Sequence, residues 1–193
     1  MINSKKKGSR NERKISNLFT DWTGYKFSRT PQSGGLNWHN KISTGDIICI
    51  DENHMADFPL SIEVKFHLEL DFSHLIDGTL AKGTNKIIHF WNQCLIDAKR
   101  TKKIPCLFMR RNGMKADMHF VVIPLDFYML LRLNLNDWES EFGYMAFQNP
   151  TLKLAILNSE DFFKIPYKIF QPVGAEYRIH TLTKRLIRKK YEK

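Results

Sequence analysis

The chain predicts an α/β fold, a mixed central β-sheet flanked by helices. Two observations carry this. Apolar residues recur at helical spacing over residues 10–22 and 86–101, and between and after these stretches lie short apolar or period-two runs at 45–50, 60–66, 105–110 and 118–123. The order of helix, strands, helix, strands suits a sheet with both parallel and antiparallel neighbours. With 193 residues, of which 42% are hydrophobic and 26% charged, the chain can build one well-buried core.

Each element has its own signal. In the first helix Ile15, Leu18, Phe19 and Trp22 form one stripe, Ser9 offers an N-cap and Gly24 a stop. A short strand at 25–30 is broken by Pro31 and the small residues Ser33, Gly34 and Gly35, and 36–44 reads as a polar loop carrying Trp38. Gly45 and Asp46 open the next strand. In 60–66 the alternation sets Ile62 and Val64 on one face and Ser61, Glu63 and Lys65 on the other. Residues 67–85 form a long connector. The second helix turns Ile87, Ile88, Trp91, Cys94, Leu95 and Ala98 inward, two strands flank a turn at Asn112 and Gly113, and a helix follows Pro124. These elements divide the chain into a core, 1–133, with a basic N-terminal arm, and an extension, 134–193. The extension packs on the core as short strands and turns and ends in a basic helix.

The net charge of +10 is concentrated at the two ends. Residues 1–14 hold six basic groups and one acidic, as do 184–193, and the body between them is formally neutral. Such ends steer a chain toward a polyanion; solubilising tails are the plainer reading. The longest apolar runs span only a few residues, far short of the roughly 18 of a membrane span. The basic start has no apolar segment behind it, so a cytoplasmic protein is expected. Cys49, Cys94 and Cys106 form no close pair and read as buried free thiols. The histidines lack metal-binding spacing, and no glycine-rich loop suggests a nucleotide cofactor.

The chemistry concentrates in a few acids. Glu63 and Lys65, two apart on a strand, stand side by side, which either an ion pair on an open sheet face or a catalytic pair would explain. If the strand opened by Asp46 pairs with the strand of Glu63, the two carboxylates converge, and their repulsion favours a hard divalent cation between them. Asp46 otherwise caps a turn at Gly45. Glu12 lies in line with the apolar stripe of the first helix. It serves either the same site or a capping box with Ser9, and one carboxylate does not readily fill both roles.

These pieces appear in order as Lys7-Gly8-Ser9-Arg10-Asn11-Glu12-Arg13, Arg29-Thr30-Pro31-Gln32-Ser33-Gly34-Gly35, Gly45-Asp46-Ile47 and Ile62-Glu63-Val64-Lys65. Together they resemble the archaeal-type Holliday junction resolvases of the PD-(D/E)XK nuclease superfamily, similar proteins of which phages also carry. The resemblance spans roughly residues 5–123. It implies a restriction-endonuclease-like core and a catalytic set of Glu12, Asp46, Glu63 and Lys65, with Ser33 near the scissile phosphate. Asp46, Glu63, the Val64 carbonyl and Glu12 would hold Mg²⁺, with Mn²⁺ as a substitute. Gln93, which on sequence alone is a surface glutamine, matches a glutamine that recurs on that helix in relatives. Gly45 replaces the proline that gives the superfamily its name, the loop at 36–44 is longer than in the plainest members, and some 60 residues follow the usual core.

The expected function is metal-dependent, structure-selective DNA cleavage, resolving Holliday junctions by paired symmetric nicks from a homodimer. DNA contacts are expected from Lys5, Lys6, Lys7, Arg10, Arg29, Gln93, Lys184, Arg185, Arg188 and Lys189, while Arg110 and Arg111 beside their turn are ambiguous. The competing expectations are a restriction-like, flap or nicking endonuclease, and a non-catalytic DNA-binding protein on a nuclease scaffold.

Overall fold

The computed structural model describes residues 4–30, 37–38, 41–42, 44–76, 86–115, 117–135 and 143–191, without the side chains of 4–7, 37–38, 41–42, 74, 76 and 182–191. Helix α1 (Ser4–Thr23) leads into β1 (Phe27–Arg29), the two-residue strands β2 (Asn37–Trp38) and β3 (Lys41–Ile42), β4 (Ile47–Cys49) and β5 (Leu60–His67). Then come α2 (Ser73–Ile76), α3 (Lys86–Thr101), β6 (Ile104–Arg111), β7 (Phe120–Pro124) and α4 (Leu125–Asn134). The chain finishes with β8 (Tyr144–Gln148), β9 (Lys153–Asn158), α5 (Ser159–Lys164) and α6 (Tyr167–Tyr191).

The main sheet has the order β1-β4-β5-β6-β7-β9-β8. β5 and β6 run parallel and every other neighbouring pair is antiparallel, so the sheet is mixed, as expected. The β5–α3–β6 crossover is the helical connection that a parallel pair requires. Each face of the sheet carries its own core. On one, Ile62, Val64, Cys106, Phe108, Val121 and Ile123 meet Ile15 and Phe19 of α1 together with α4, α5 and α6. Phe19 is a hub here, with the rings of Trp22, Phe27, Phe58, Phe108, Phe162 and Phe163 at 5.2–6.3 Å. On the other face Leu107, Met109, Val122 and Ile156 meet Ile87, Trp91 and Cys94 of α3. The result is an α/β fold with a mixed sheet between helical layers, consistent with a PD-(D/E)XK-like core. Among the described residues no helix is long and apolar enough to cross a membrane. All three cysteines are buried and free.

Several elements differ from expectation. α1 begins at Ser4, one and a half turns before Arg10, because Lys5, Lys6 and Lys7 are good helix formers and the helix tolerates Gly8 among its early residues. Ser9 therefore lies inside the helix and the capping box does not form. Where a loop was expected at 36–44, β2 and β3 pair as a small hairpin. The C-terminal region contributes more than short strands and turns. β9 pairs with β7 over five residues and lies inside the sheet, and α6 is a continuous helix of 25 residues that includes the basic end. Gly174 of α6 lies against Pro59, where an added Cβ would come within 2.8 Å of the proline ring, so the helix docks closely beside the entry to β5.

Candidate active site

The site is built at the junction of β4 and β5. Gly45 adopts φ +91°, and a Cβ there would sit 2.4 Å from the Ile62 carbonyl oxygen. Only glycine permits both the conformation and the approach, and this explains the residue found where the resemblance suggests proline. The close approach lets the Asp46 amide donate to the Ile62 carbonyl at 2.8 Å, while Asp46 Oδ2 accepts from the Val64 amide at 2.8 Å. Thr30 fastens the other side. Its amide donates to the Asp46 carbonyl at 2.9 Å and its hydroxyl to the Gly45 carbonyl at 2.7 Å. The Asp46 carboxylate is thus locked to the strand that carries Glu63.

Glu63 is only 3% exposed. The face of β5 that it occupies is not open: Ser61 is buried beside it and α3 covers both. Lys65 Nζ lies 2.6 Å from Glu63 Oε1 and 5.9 Å from the centre of the Phe90 ring. Burial raises the Glu63 pKa to about 7, and the Asp46 charge adds to the rise against the opposing pull of Lys65. Asp46 is raised too, first by burial and then by the charges of Glu12 and Asp97, although the Val64 amide and Lys65 work against this. Burial makes both acids resist ionisation, and a cation beside them would favour the charged form of each.

A cavity of about 530 Å³ opens onto them, lined by Asp46, Glu63 and one polar stripe of α3, His89, Gln93, Asp97 and Arg100. The stripe follows from helical spacing, since 89, 93 and 97 are four apart and Arg100 three further on. Gln93 is therefore at the cavity as well as at the surface. Sequence reasoning passed over Asp97. It reads as a surface charge, and Arg100 Nη1 lies 3.5 Å from its carboxylate, but its charge acts on both Asp46 and Glu63. The spacing from Gln93 was the available signal. Thr44, also missed, ties the site together, its buried hydroxyl donating to the Asp97 carbonyl at 2.9 Å.

Glu12 stands apart from the pair. Its carboxylate is ion-paired with Arg29 Nε. Glu12 still acts on Asp46 through its charge. Among the described residues no group of three His, Cys, Asp or Glu is close enough to hold a metal ion. The oxygen-only pair Asp46 and Glu63 nevertheless suits a hard divalent cation of the kind that keeps several waters and uses one or two carboxylates. Arg10 lies on the α1 side of the sheet, in a different pocket. Ser33 and the side chains of Lys5, Lys6, Lys7, Lys184, Arg185, Arg188 and Lys189 fall outside the described residues.

Over residues 3–169 the chain matches the family described as "Phage putative PDDEXK endonuclease". No curated protein and no solved structure matches it. The match runs through β9 and α5 into the start of α6, well past residue 133. Given a mixed sheet that carries Gly45-Asp46 beside Glu63-Val64-Lys65, and a family match over most of its length, the chain belongs to this phage-associated endonuclease family of the PD-(D/E)XK superfamily.

Proposed function

We propose that the chain is a Mg²⁺-dependent, structure-selective DNA endonuclease that resolves four-way junctions by paired nicks. The observation that carries this reading is the buried Asp46–Glu63 pair with Lys65 hydrogen-bonded to Glu63. Asp46, Glu63 and the Val64 carbonyl would hold the ion, with Mn²⁺ able to replace it and Glu12 close enough to influence Asp46. When bound, the metal neutralises charge on the phosphate and lowers the pKa of a coordinated water. The chain's own groups do the rest. The Val64 amide fixes the orientation of Asp46. Lys65, held between Glu63 and the Phe90 ring, brings an ammonium to the phosphate, where negative charge develops as the P–O bond breaks. Gln93 and Arg100 at the cavity wall offer donors to the substrate's phosphate oxygens.

Symmetric cutting of a junction requires two sites facing opposite strands, so the enzyme would act as a twofold homodimer. The basic ends at 1–14 and 184–193 would hold the arms. The resemblance of the four sequence motifs to the archaeal-type resolvases supports this choice of substrate over ordinary duplex.

The test is cleavage of end-labelled DNA in Mg²⁺ or EDTA, with a mobile four-way junction, a matched duplex and a flapped duplex side by side. Paired symmetric nicks on the junction alone are expected. Equal cutting of duplex or flap would keep the site and move the function to a restriction-like, flap or nicking enzyme. Tight binding without any cleavage would leave a DNA-binding protein on a nuclease scaffold.

A further inference from the structure

The opposite side of β5 carries a second pocket, of about 330 Å³, between α1 and the β6–β7 end of the sheet. Arg10, Asn11 and Lys14 of α1 line it together with Phe66, Arg110 and Arg111. No carboxylate is among the described residues that line it, and of its cations Lys14 is ion-paired at 2.6 Å with the exposed Asp117. β5 pairs Phe66 with Arg110 in register, and the Arg110 guanidinium lies 6.0 Å from the centre of the Phe66 ring.

Buried polar atoms without hydrogen-bond partners occur here on Asn11, Arg110 and His119. Asn11 is 3% exposed, and its Oδ1 lies 2.8 Å from Nε2 of the fully buried His119. With the amide in this orientation, Nδ2 has no partner. Arg110 donates from Nη2 to the Met114 carbonyl at 2.8 Å, but its Nε has no partner. Burial holds His119 neutral, with its pKa near 4, so its part is to orient Asn11. Buried donors left unpaired cost free energy that an acceptor would return. Two such donors in one basic pocket call for an anion with several oxygens.

We propose that this pocket seats a phosphate group of the bound nucleic-acid strand, with Asn11 Nδ2 and Arg110 Nε donating to its oxygens and Arg10 and Arg111 supplying charge around it. The Phe66 ring offers an apolar wall for the adjoining sugar or base. The choice of a DNA strand as the source of the phosphate rests on the nuclease reading above. The placement suits that source, because Asn11 directly precedes Glu12 and Phe66 directly follows Lys65. One strand passing the sheet end would meet both the acid pair and this pocket.

The test uses the full chain and inorganic phosphate titrated against chloride at constant ionic strength. A saturable rise in thermal midpoint is expected, roughly 3–6 °C once phosphate reaches ten times its dissociation constant. Asn11→Asp places a fixed carboxylate among the cations and should weaken phosphate binding at least about tenfold by like-charge repulsion. Arg111→Ala alters an exposed side chain, leaves the midpoint in chloride unchanged and should also weaken phosphate, so the test survives if Asn11→Asp fails to fold. With DNA, each variant should bind more weakly, with a log–log salt slope smaller by about one. A wild-type midpoint that responds no more to phosphate than to chloride overturns the proposal. So does a response that Arg111→Ala leaves intact. Loss of phosphate binding with unchanged DNA affinity and salt slope overturns the strand as the source and leaves free phosphate. DNA cleavage without any phosphate response removes the pocket and keeps the nuclease. Phosphate response and altered DNA binding in a chain that cuts nothing keeps the pocket and removes the nuclease reading.

Discussion

The two faces of β5 solve opposite electrostatic problems. On the α3 face, Asp46, Glu63 and Asp97 are crowded against Lys65 and Arg100, and burial pushes Glu63 up to about 7. On the α1 face, Arg10, Lys14, Arg110 and Arg111 surround two unpaired donors, and burial pushes His119 down to about 4. The strand's alternation makes this separation possible, because Lys65 and Phe66 are neighbours in sequence yet point to opposite sides. Acids outnumber the cations beside them on one face, and on the other the described lining residues carry cations and no carboxylate, although Lys14 is ion-paired with Asp117. A polyanion carrying its own counter-cations would complement both faces. The comparison shows that a single strand can carry an acid-rich site on one face and a base-rich pocket on the other.

The sharpest way to break the acid face is Glu63→Ala. Cleavage should fall on the order of a thousandfold or more while DNA affinity, measured by gel shift in Ca²⁺, stays near that of the parent. Unchanged cleavage would remove Glu63 from the site.

Gly45→Ala attacks the same face through the backbone. The positive φ and the approach to Ile62 leave no room for a methyl group, so about 2–4 kcal/mol of stability should be lost. The readout is a lower urea midpoint at unchanged slope. A midpoint within error of the parent would mean that the β4–β5 junction is not held as described.

The faces also have opposite dependence on pH. A carboxyl with a raised folded pKa contributes stability that is complete below its ordinary value and is lost as the pH rises through the folded one. For Glu63 that window runs from 4.5 to about 7. A histidine with a lowered folded pKa loses stability as the pH falls from 6.5 toward about 4. Across the shared range the two trends offset each other. The stability of the parent relative to Glu63→Gln, measured without divalent cations, should therefore decline by about 3 kcal/mol between pH 4.5 and 7. Adding Mg²⁺ near pH 7 should recover stability in the parent and not in the variant. A difference that does not change with pH would show that Glu63 is not destabilised by its surroundings.

Asp97→Asn has the smallest expected effect. Removing one like charge from beside both acids should lower the acid limb of the pH–rate profile by about half a unit or less, with cleavage changed less than about tenfold. A loss as large as that of Glu63→Ala would make Asp97 part of the reacting set.

Much of this arrangement was legible in the sequence where the signal is local. α3 has the bounds that its periodicity predicts, and β5 follows its alternation and extends one residue to His67. The convergence of Asp46 on Glu63 needed only one antiparallel pairing over a short separation. Other features depended on partners far away in the chain. Glu12 chose Arg29 over a cap because α1 starts earlier than Ser9. Asn11 meets His119 across 108 positions, and neither residue has any local mark of that contact. β9 inserts between β7 and β8, a placement that patterning within 144–158 does not reveal. Arg110 and Arg111 illustrate the same limit, since charges beside a turn look alike whether they face water or an empty pocket.

The parallel pairing of β5 with β6 bears on how the molecule comes into being. That ladder registers eight residue pairs across a crossover from residue 68 to 103, a contact of high sequence separation that closes slowly compared with a hairpin. β4 and β5, by contrast, pair locally. In the chain Asp46 and Glu63 therefore lie close together, while α3, which roofs them, and Arg110, which faces the other side, come later. The cavity over the acid pair is complete only when the crossover has closed.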